Sequence, residues 1–168
     1  MNSKKTKIKD IANIEMYLKR IAYQIYEDNH EEDNSLIIVG VEKNGKILAD
    51  KIFEILKNIS SFDLTLMSIQ INKKNPTNNI SSSIDENKCL NKNIIIVDDV
   101  LNTGKTLIYA VDFFLKIPVK KIQTAVIINR NHKKFPIKAD FKGISLSTSV
   151  NEHVSVVLEG NEIGIYLS

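Results

Sequence analysis

A single cysteine, Cys89, in a chain of 168 residues leaves no disulfide framework and fits a reducing compartment. The three histidines, His30, His132 and His153, stand far apart and show no metal-ligand spacing. No apolar run approaches the length of a membrane span, and the basic N-terminus lacks the apolar core of a signal peptide. Neither sign of charge dominates: 23 Lys and Arg against 20 Asp and Glu leave +3, too mild to demand a nucleic-acid partner by itself. Internal repeats, linkers and a second core pattern are also missing. With 43% hydrophobic and 26% charged residues, the chain 1–168 is expected to form one globular domain of a cytoplasmic protein.

What is present is organised around residues 93–107. Asn93 to Val97 begins a continuous apolar run, the pattern of a strand buried on both faces of a parallel sheet. Asp98 and Asp99 end the run, and Val100, Leu101, Asn102, Thr103, Gly104, Lys105 and Thr106 lead into helical spacing at Leu107, Ala110, Val111, Phe114 and Leu115. This strand–loop–helix order places the loop at the carboxyl end of a central strand, where open α/β sheets bind ligands. Backbone N–H groups opening a helix attract anions, Gly104 permits close approach, and the Thr103 and Thr106 hydroxyls can donate to phosphate. The paired carboxylates repel phosphate but accept hydrogen bonds from sugar hydroxyls, or hold hydrated Mg²⁺. Phosphate donors beside paired acceptors suit a sugar phosphate. A Walker A loop is excluded, because the glycine it requires five positions before Gly104 is Asp99.

Residues 1–9 are Lys-rich and expected to fray. From Asp10, a plausible N-cap, apolar residues at Ile11, Ile14, Leu18, Ile21, Ala22 and Ile25 predict a helix, and 29–34 reads as a polar link. Residues 35–40 read as the first core strand, 41–46 as a tight loop, and Ile47 to Leu56 as the next helix. A second ligand loop is therefore expected on the same sheet edge. Phe62 to Ile71 reads as a strand, and the polar stretch 72–92 as a long loop. Ile122 to Asn129 predicts another buried strand, 139–143 leads into a polar Ser/Thr stretch, and 154–167 reads as a β-hairpin.

The stretch Asp98-Asp99 through Thr103-Gly104-Lys105-Thr106 resembles the 5-phosphoribosyl-1-pyrophosphate (PRPP) motif of type I phosphoribosyltransferases. Together with 36–56 and 123–149, including Arg130-Asn131-His132-Lys133-Lys134-Phe135-Pro136-Ile137-Lys138-Ala139-Asp140-Phe141-Lys142-Gly143, it is most similar to one subfamily: bacterial pyrimidine-operon attenuation regulators with uracil phosphoribosyltransferase activity. The resemblance implies an α/β fold, a mostly parallel twisted sheet flanked by helices, with a small hood and a C-terminal β-hairpin. It implies transfer of the phosphoribosyl group from PRPP with Mg²⁺ to a nucleobase, uracil first, giving UMP and pyrophosphate.

Carried onto this chain, Asp98 and Asp99 hold the ribose hydroxyls, Asn102 to Thr106 the 5-phosphate, and Lys43, Asn44 and Gly45 form the pyrophosphate loop. Phe141 stacks on the base, backbone near Arg130 and Phe141 reads its edge, and 72–92 corresponds to a mobile lid. A basic face of Lys19, Arg20, His132, Lys133 and Lys138 corresponds to the surface that meets a messenger RNA leader, and a homodimer or higher homo-oligomer is implied. The chain departs from the family pattern in three places. Lys43-Asn44-Gly45 stands for Thr-Arg-Gly, so a bidentate arginine is missing. Asn72-Lys73-Lys74-Asn75 replaces Tyr-Arg-Asp-Asp, and Asn129 and Asn131 replace aspartate and glycine. Three alternatives stay open: an RNA-binding pyrimidine-operon regulator, a non-catalytic PRPP or nucleotide sensor, and a purine (hypoxanthine or guanine) transferase. Against the last, Asn102 stands where purine enzymes usually place an aspartate, and asparagine carries no proton.

Overall fold

In the computed structural model, which describes residues 5–30, 35–72, 80–149 and 151–168, twelve elements follow one another. They are β1 (Thr6–Lys9), α1 (Ile11–Asn29), β2 (Ser35–Val41), α2 (Glu42–Ile59), β3 (Asp63–Gln70), β4 (Ser81–Ser82), β5 (Asn93–Leu101), α3 (Lys105–Leu115), β6 (Lys121–Arg130), β7 (Phe141–Leu146), β8 (Val154–Val157) and β9 (Gly164–Leu167). The main sheet has the order β4-β3-β2-β5-β6-β7, parallel throughout except for the short antiparallel β4. Apolar β-branched runs in β2 and β5 are buried on both faces, as the interior of a parallel sheet requires.

α1 starts where the sequence predicts. Asp10 accepts from the Asn13 backbone N–H, and the Asn13 side chain accepts from the Asp10 N–H, closing a capping box. Its buried residues, Ile14, Tyr17, Leu18, Ile21, Ala22 and Ile25, share a core with α2 and with Leu36, Ile38, Ile95, Val97, Ala125 and Ile127 of the sheet. The opposite sheet face (Ile37, Val39, Ile94, Ile96, Val126) packs against Leu107, Ala110, Phe113 and Phe114 of α3. Alternating strand side chains thus feed two cores, one on each side of the sheet.

The hood is a separate antiparallel sheet of order β1-β9-β8. Val154, Val156 and Ile165 of the hood join the α1–α2 core, which binds hood to sheet. The expected hairpin is β8–β9. Thr6 to Lys9, expected to fray with the rest of 1–9, instead pairs with β9; residues 1–4 lie outside the described chain, as do 31–34 of the polar link. The stretch 139–149 hides β7, which pairs with β6 although only Phe141 and Gly143 of its six residues are buried. An edge strand needs only one covered face, so its sequence carries little apolar signal. The loop expected over 72–92 is also shorter: Ser81–Ser82 pairs with β3, Glu86–Cys89 is a 3₁₀ turn, and Cys89 is buried against Met67. Residues 73–79 of that stretch lie outside the described residues. No helix among the described residues is long and apolar enough to cross a membrane.

Candidate functional site

From β2 the chain moves through α2 to β3 on one side, and from β5 through α3 to β6 on the other. The carboxyl ends of β2 and β5 therefore flank a topological switch point, the position where parallel α/β sheets open a crevice. Asp98 and Asp99 lie there. Strand alternation sends them to different faces: Asp98 continues the Ile94–Ile96 row toward α3, and Asp99 the Ile95–Val97 row toward α2. Asp98 is 7% exposed and Asp99 half-buried. One Asp98 oxygen accepts from the Asp99 N–H at 2.9 Å. Both oxygens of Asp99 are used, Oδ1 by the Val100 N–H at 2.8 Å and Oδ2 by the Asn44 amide at 2.7 Å.

The segment expected as a tight loop, 41–46, is not a loop. β2 ends at Val41 and α2 begins at Glu42, so Lys43, Asn44 and Gly45 form the first helical turn. A single residue, Glu42 with φ 56°, makes the whole change of direction. Close packing explains how so short a connection is possible. A Cβ on Gly40 would sit 2.4 Å from Lys46 Cα, and one on Gly45 2.6 Å from the Val97 carbonyl oxygen. The turn lies directly on β5, and Val41, Glu42, Lys43, Asn44, Asp98 and Asp99 line a cavity of about 210 Å³. Asn44 also donates to the Val156 carbonyl of the hood at 3.1 Å, linking hood, helix and acidic pair through one amide.

The second loop matches its expected place. Gly104, φ 85°, is the N-cap of α3 and offers no side chain to cover the helix start, which leaves N–H groups for an anion. Thr103 Oγ1 accepts from the Lys105 N–H at 3.3 Å. Asp98 and residues 100–107 line a cavity of about 50 Å³ here, so Asp98 borders both cavities. The basic segment after β6 folds over this loop: the N–H groups of Lys134 and Phe135 both donate to the Thr103 carbonyl, at 2.8 and 3.1 Å. The Ile137 methyl closes over Gly104, 2.5 Å from where a Cβ would stand. Nothing in the residue types of 131–138 signals that contact; only the topology brings it about.

Other predicted residues have different work. Phe141, expected to stack on a base, opens β7 opposite Ala125 and lies in the α1-side core, 7% exposed. Arg130 is 4% exposed, and its guanidinium donates to Thr148 Oγ1 and to the carbonyls of Ser149 and Glu152. The same turn receives His132, whose Nε2 meets the Thr148 carbonyl at 2.8 Å. The Ser149 N–H on Glu152, with Arg130 nearby, holds that carboxyl below its ordinary range, so the turn keeps this bond at neutral pH and loses it as pH falls through the acid range. Arg130→Ala is expected to release Thr148, Ser149 and Glu152 and to lower stability by about 2 kcal/mol in urea titrations, since three acceptors lose a charged donor.

Of the expected basic face, Arg20 is exposed, donates to the carbonyls of Lys142 and Gly143 on the β7 edge and lies against Tyr17, so its guanidinium is oriented by the fold. Lys19 and Lys133 are exposed, and Lys138 is exposed with its amine 3.8 Å from Asp140. No group of three or more metal-ligating side chains occurs among the described residues. Two adjacent carboxylates, each oxygen of Asp99 already accepting one hydrogen bond, fit an Mg²⁺ held largely by phosphate oxygens and water rather than by a protein cage.

Residues 4–159 match the phosphoribosyl transferase domain model. The bifunctional protein PyrR of Fusobacterium nucleatum is 35% identical over 158 residues, 89% of each chain. PyrR of Staphylococcus saprophyticus is 36% identical over 161 residues, covering 90% of this chain and 91% of that one. Among solved structures, a hypoxanthine-guanine phosphoribosyltransferase from Bacillus anthracis superposes with TM-score 0.76 at 19% identity, covering 96% of this chain and 95% of that one. The hypoxanthine phosphoribosyltransferase of Trypanosoma cruzi gives 0.74 at 17%, covering 89% and 84%. At such identities the structures speak for the fold alone.

Proposed function

The chain belongs to the phosphoribosyl transferase domain family, and from that premise we propose that it transfers the phosphoribosyl group of PRPP to uracil, forming UMP and pyrophosphate. That the protein is a phosphoribosyltransferase follows from the family; the base, the metal and the residue roles are our reading. One observation carries it: Asp98 stands where two cavities meet, one under the N-terminus of α2 and one under that of α3. Two helix N-termini whose N-cap residues make no side-chain cap bond suit the two phosphate ends of PRPP, and an acidic pair between them suits its ribose.

In this reading the Thr103–Thr106 backbone and hydroxyls hold the 5-phosphate. The first turn of α2, Lys43 to Gly45, faces the pyrophosphate. Asp98 and Asp99 accept from the ribose 2- and 3-hydroxyls and stabilise positive charge as the bond at C1 loosens. Asn44 keeps Asp99 aimed. Mg²⁺ would travel with the pyrophosphate and neutralise the charge that builds on it as it leaves. Catalysis is then positioning and electrostatics. With Phe141 in the core, recognition of the base falls to backbone around Arg130.

A second role has an observation of its own. The Lys133–Lys138 segment is bonded to the phosphate loop through Thr103, so a basic surface is attached to the nucleotide site, and the curated relatives are called bifunctional. RNA is the partner that surface suits, in a homo-oligomer. The test is pyrophosphate release from PRPP and Mg²⁺ with uracil, hypoxanthine, guanine and xanthine in parallel, beside RNA binding at several salt concentrations. Uracil-dependent release is the expected result, with RNA affinity falling steeply as salt rises. Release with a purine alone reassigns the base, and silence with every base from protein that binds PRPP leaves a sensor.

A further inference from the structure

Glu42 is the least expected residue at the site: a long, acidic side chain in left-handed backbone, beside the place where pyrophosphate would sit. A non-glycine residue at φ 56° is strained unless its surroundings hold it. What holds it is visible. The Glu42 carboxylate accepts the backbone N–H of Ile71 at 3.1 Å, just past the end of β3. Ile71 itself is 3% exposed and anchored in the α3-side core. The side chain therefore spans from the first residue of α2 to a fixed point on the neighbouring strand. With Lys43, Glu42 lines both the 210 Å³ cavity at Asp98 and Asp99 and one of about 480 Å³ that Lys46, Gln70 and Asn72 also line.

We propose that Glu42 is a positioning residue, whose bond to Ile71 fixes the turn that aims the N–H groups of Lys43, Asn44 and Gly45 into the pyrophosphate cavity. The inference rests on the phosphoribosyltransferase reading above and deepens it. The arrangement has two opposed effects. The hydrogen bond orders the donors, while the negative charge beside them repels pyrophosphate, so the acceptor helps binding and the charge hinders it. A carboxylate does both jobs at once, and substitution can separate them.

The experiment measures Mg-pyrophosphate affinity by calorimetry and Ile71 amide exchange in the full chain and in Glu42→Gln, Glu42→Ala and Glu42→Gly. Glutamine keeps an acceptor and drops the charge: Ile71 stays protected and affinity rises several-fold above the parent. Alanine and glycine drop both: Ile71 exchanges at least about tenfold faster, and affinity falls about tenfold below the glutamine variant. Glycine separates the bond from backbone strain, since it adopts φ 56° freely. If the glycine or alanine variant binds as tightly as glutamine, or Ile71 remains protected in both, the positioning role is overturned. A parent chain that binds neither Mg-pyrophosphate nor PRPP overturns the transferase reading itself, a result distinct from equal binding by all four proteins.

Discussion

Asp98→Asn is expected to lower kcat/KM for phosphoribosyl transfer by about a thousandfold while changing PRPP affinity by less than about tenfold. The asymmetry follows from where charge develops. PRPP in its ground state is an anion, and a carboxylate 93% buried beside it gains little from binding it. On the proposed reading, the ribose ring becomes cationic as the bond to pyrophosphate stretches, and the same buried carboxylate would stabilise that charge. Asparagine retains an oxygen that can accept from the Asp99 N–H, so this bond survives the loss of charge. Asp99→Asn is expected to be slower too, with an additional stability loss of about 1 kcal/mol. Asp99 uses both oxygens as acceptors, for Val100 and Asn44, and an amide has one oxygen to offer two donors. Steady-state rates with and without saturating PRPP, beside thermal melts, separate the two variants. A rate for Asp98→Asn within tenfold of the parent would remove Asp98 from the chemistry.

The residues legible in advance are those whose chemistry is local. The placement of Asp98, Asp99 and Gly104 at a strand-to-helix junction is legible because a buried run stops at two carboxylates and resumes as a helix. Asp10 alone also marks the start of α1, and the structure adds Asn13 as its capping partner. What stayed hidden depends on contacts distant in sequence. Lys43 to Gly45 looked like loop because glycine and asparagine favour turns, but Gly45 is there to let α2 touch β5. Arg130 was assigned only through the backbone near it, and nothing local shows that its side chain turns inward to partners at 148, 149 and 152. β7 lacked a strand pattern because one face of an edge strand is polar. Phe141 was assigned through resemblance alone, and burial beside α1 redirects it to the core.

Gly45→Ala is expected to abolish measurable transfer and to cost about 3 kcal/mol of stability, for one added methyl. The Cβ would lie 2.6 Å from the Val97 carbonyl oxygen and 3.4 Å from Asp98 Cα, and both are backbone atoms of the central strand. A flexible side chain could swing away; β5 cannot, since it is hydrogen-bonded to β2 on one side and β6 on the other. α2 must therefore lift, and its first turn moves with it. Asn44 then withdraws from Asp99 and from Val156, so the pyrophosphate donors, the acidic pair and the hood lose register together. Catalysis that depends on geometry falls steeply with displacements of about 1 Å. Alanine favours helix over glycine by roughly 1 kcal/mol, and Gly45 has no positive φ to relieve, so propensity alone predicts a stabilised protein. Urea denaturation with kinetics on the same preparation decides between the two: a more stable, active variant would mean that α2 does not sit on β5 as described, and a destabilised, inactive one that the contact at Val97 sets the geometry of the site.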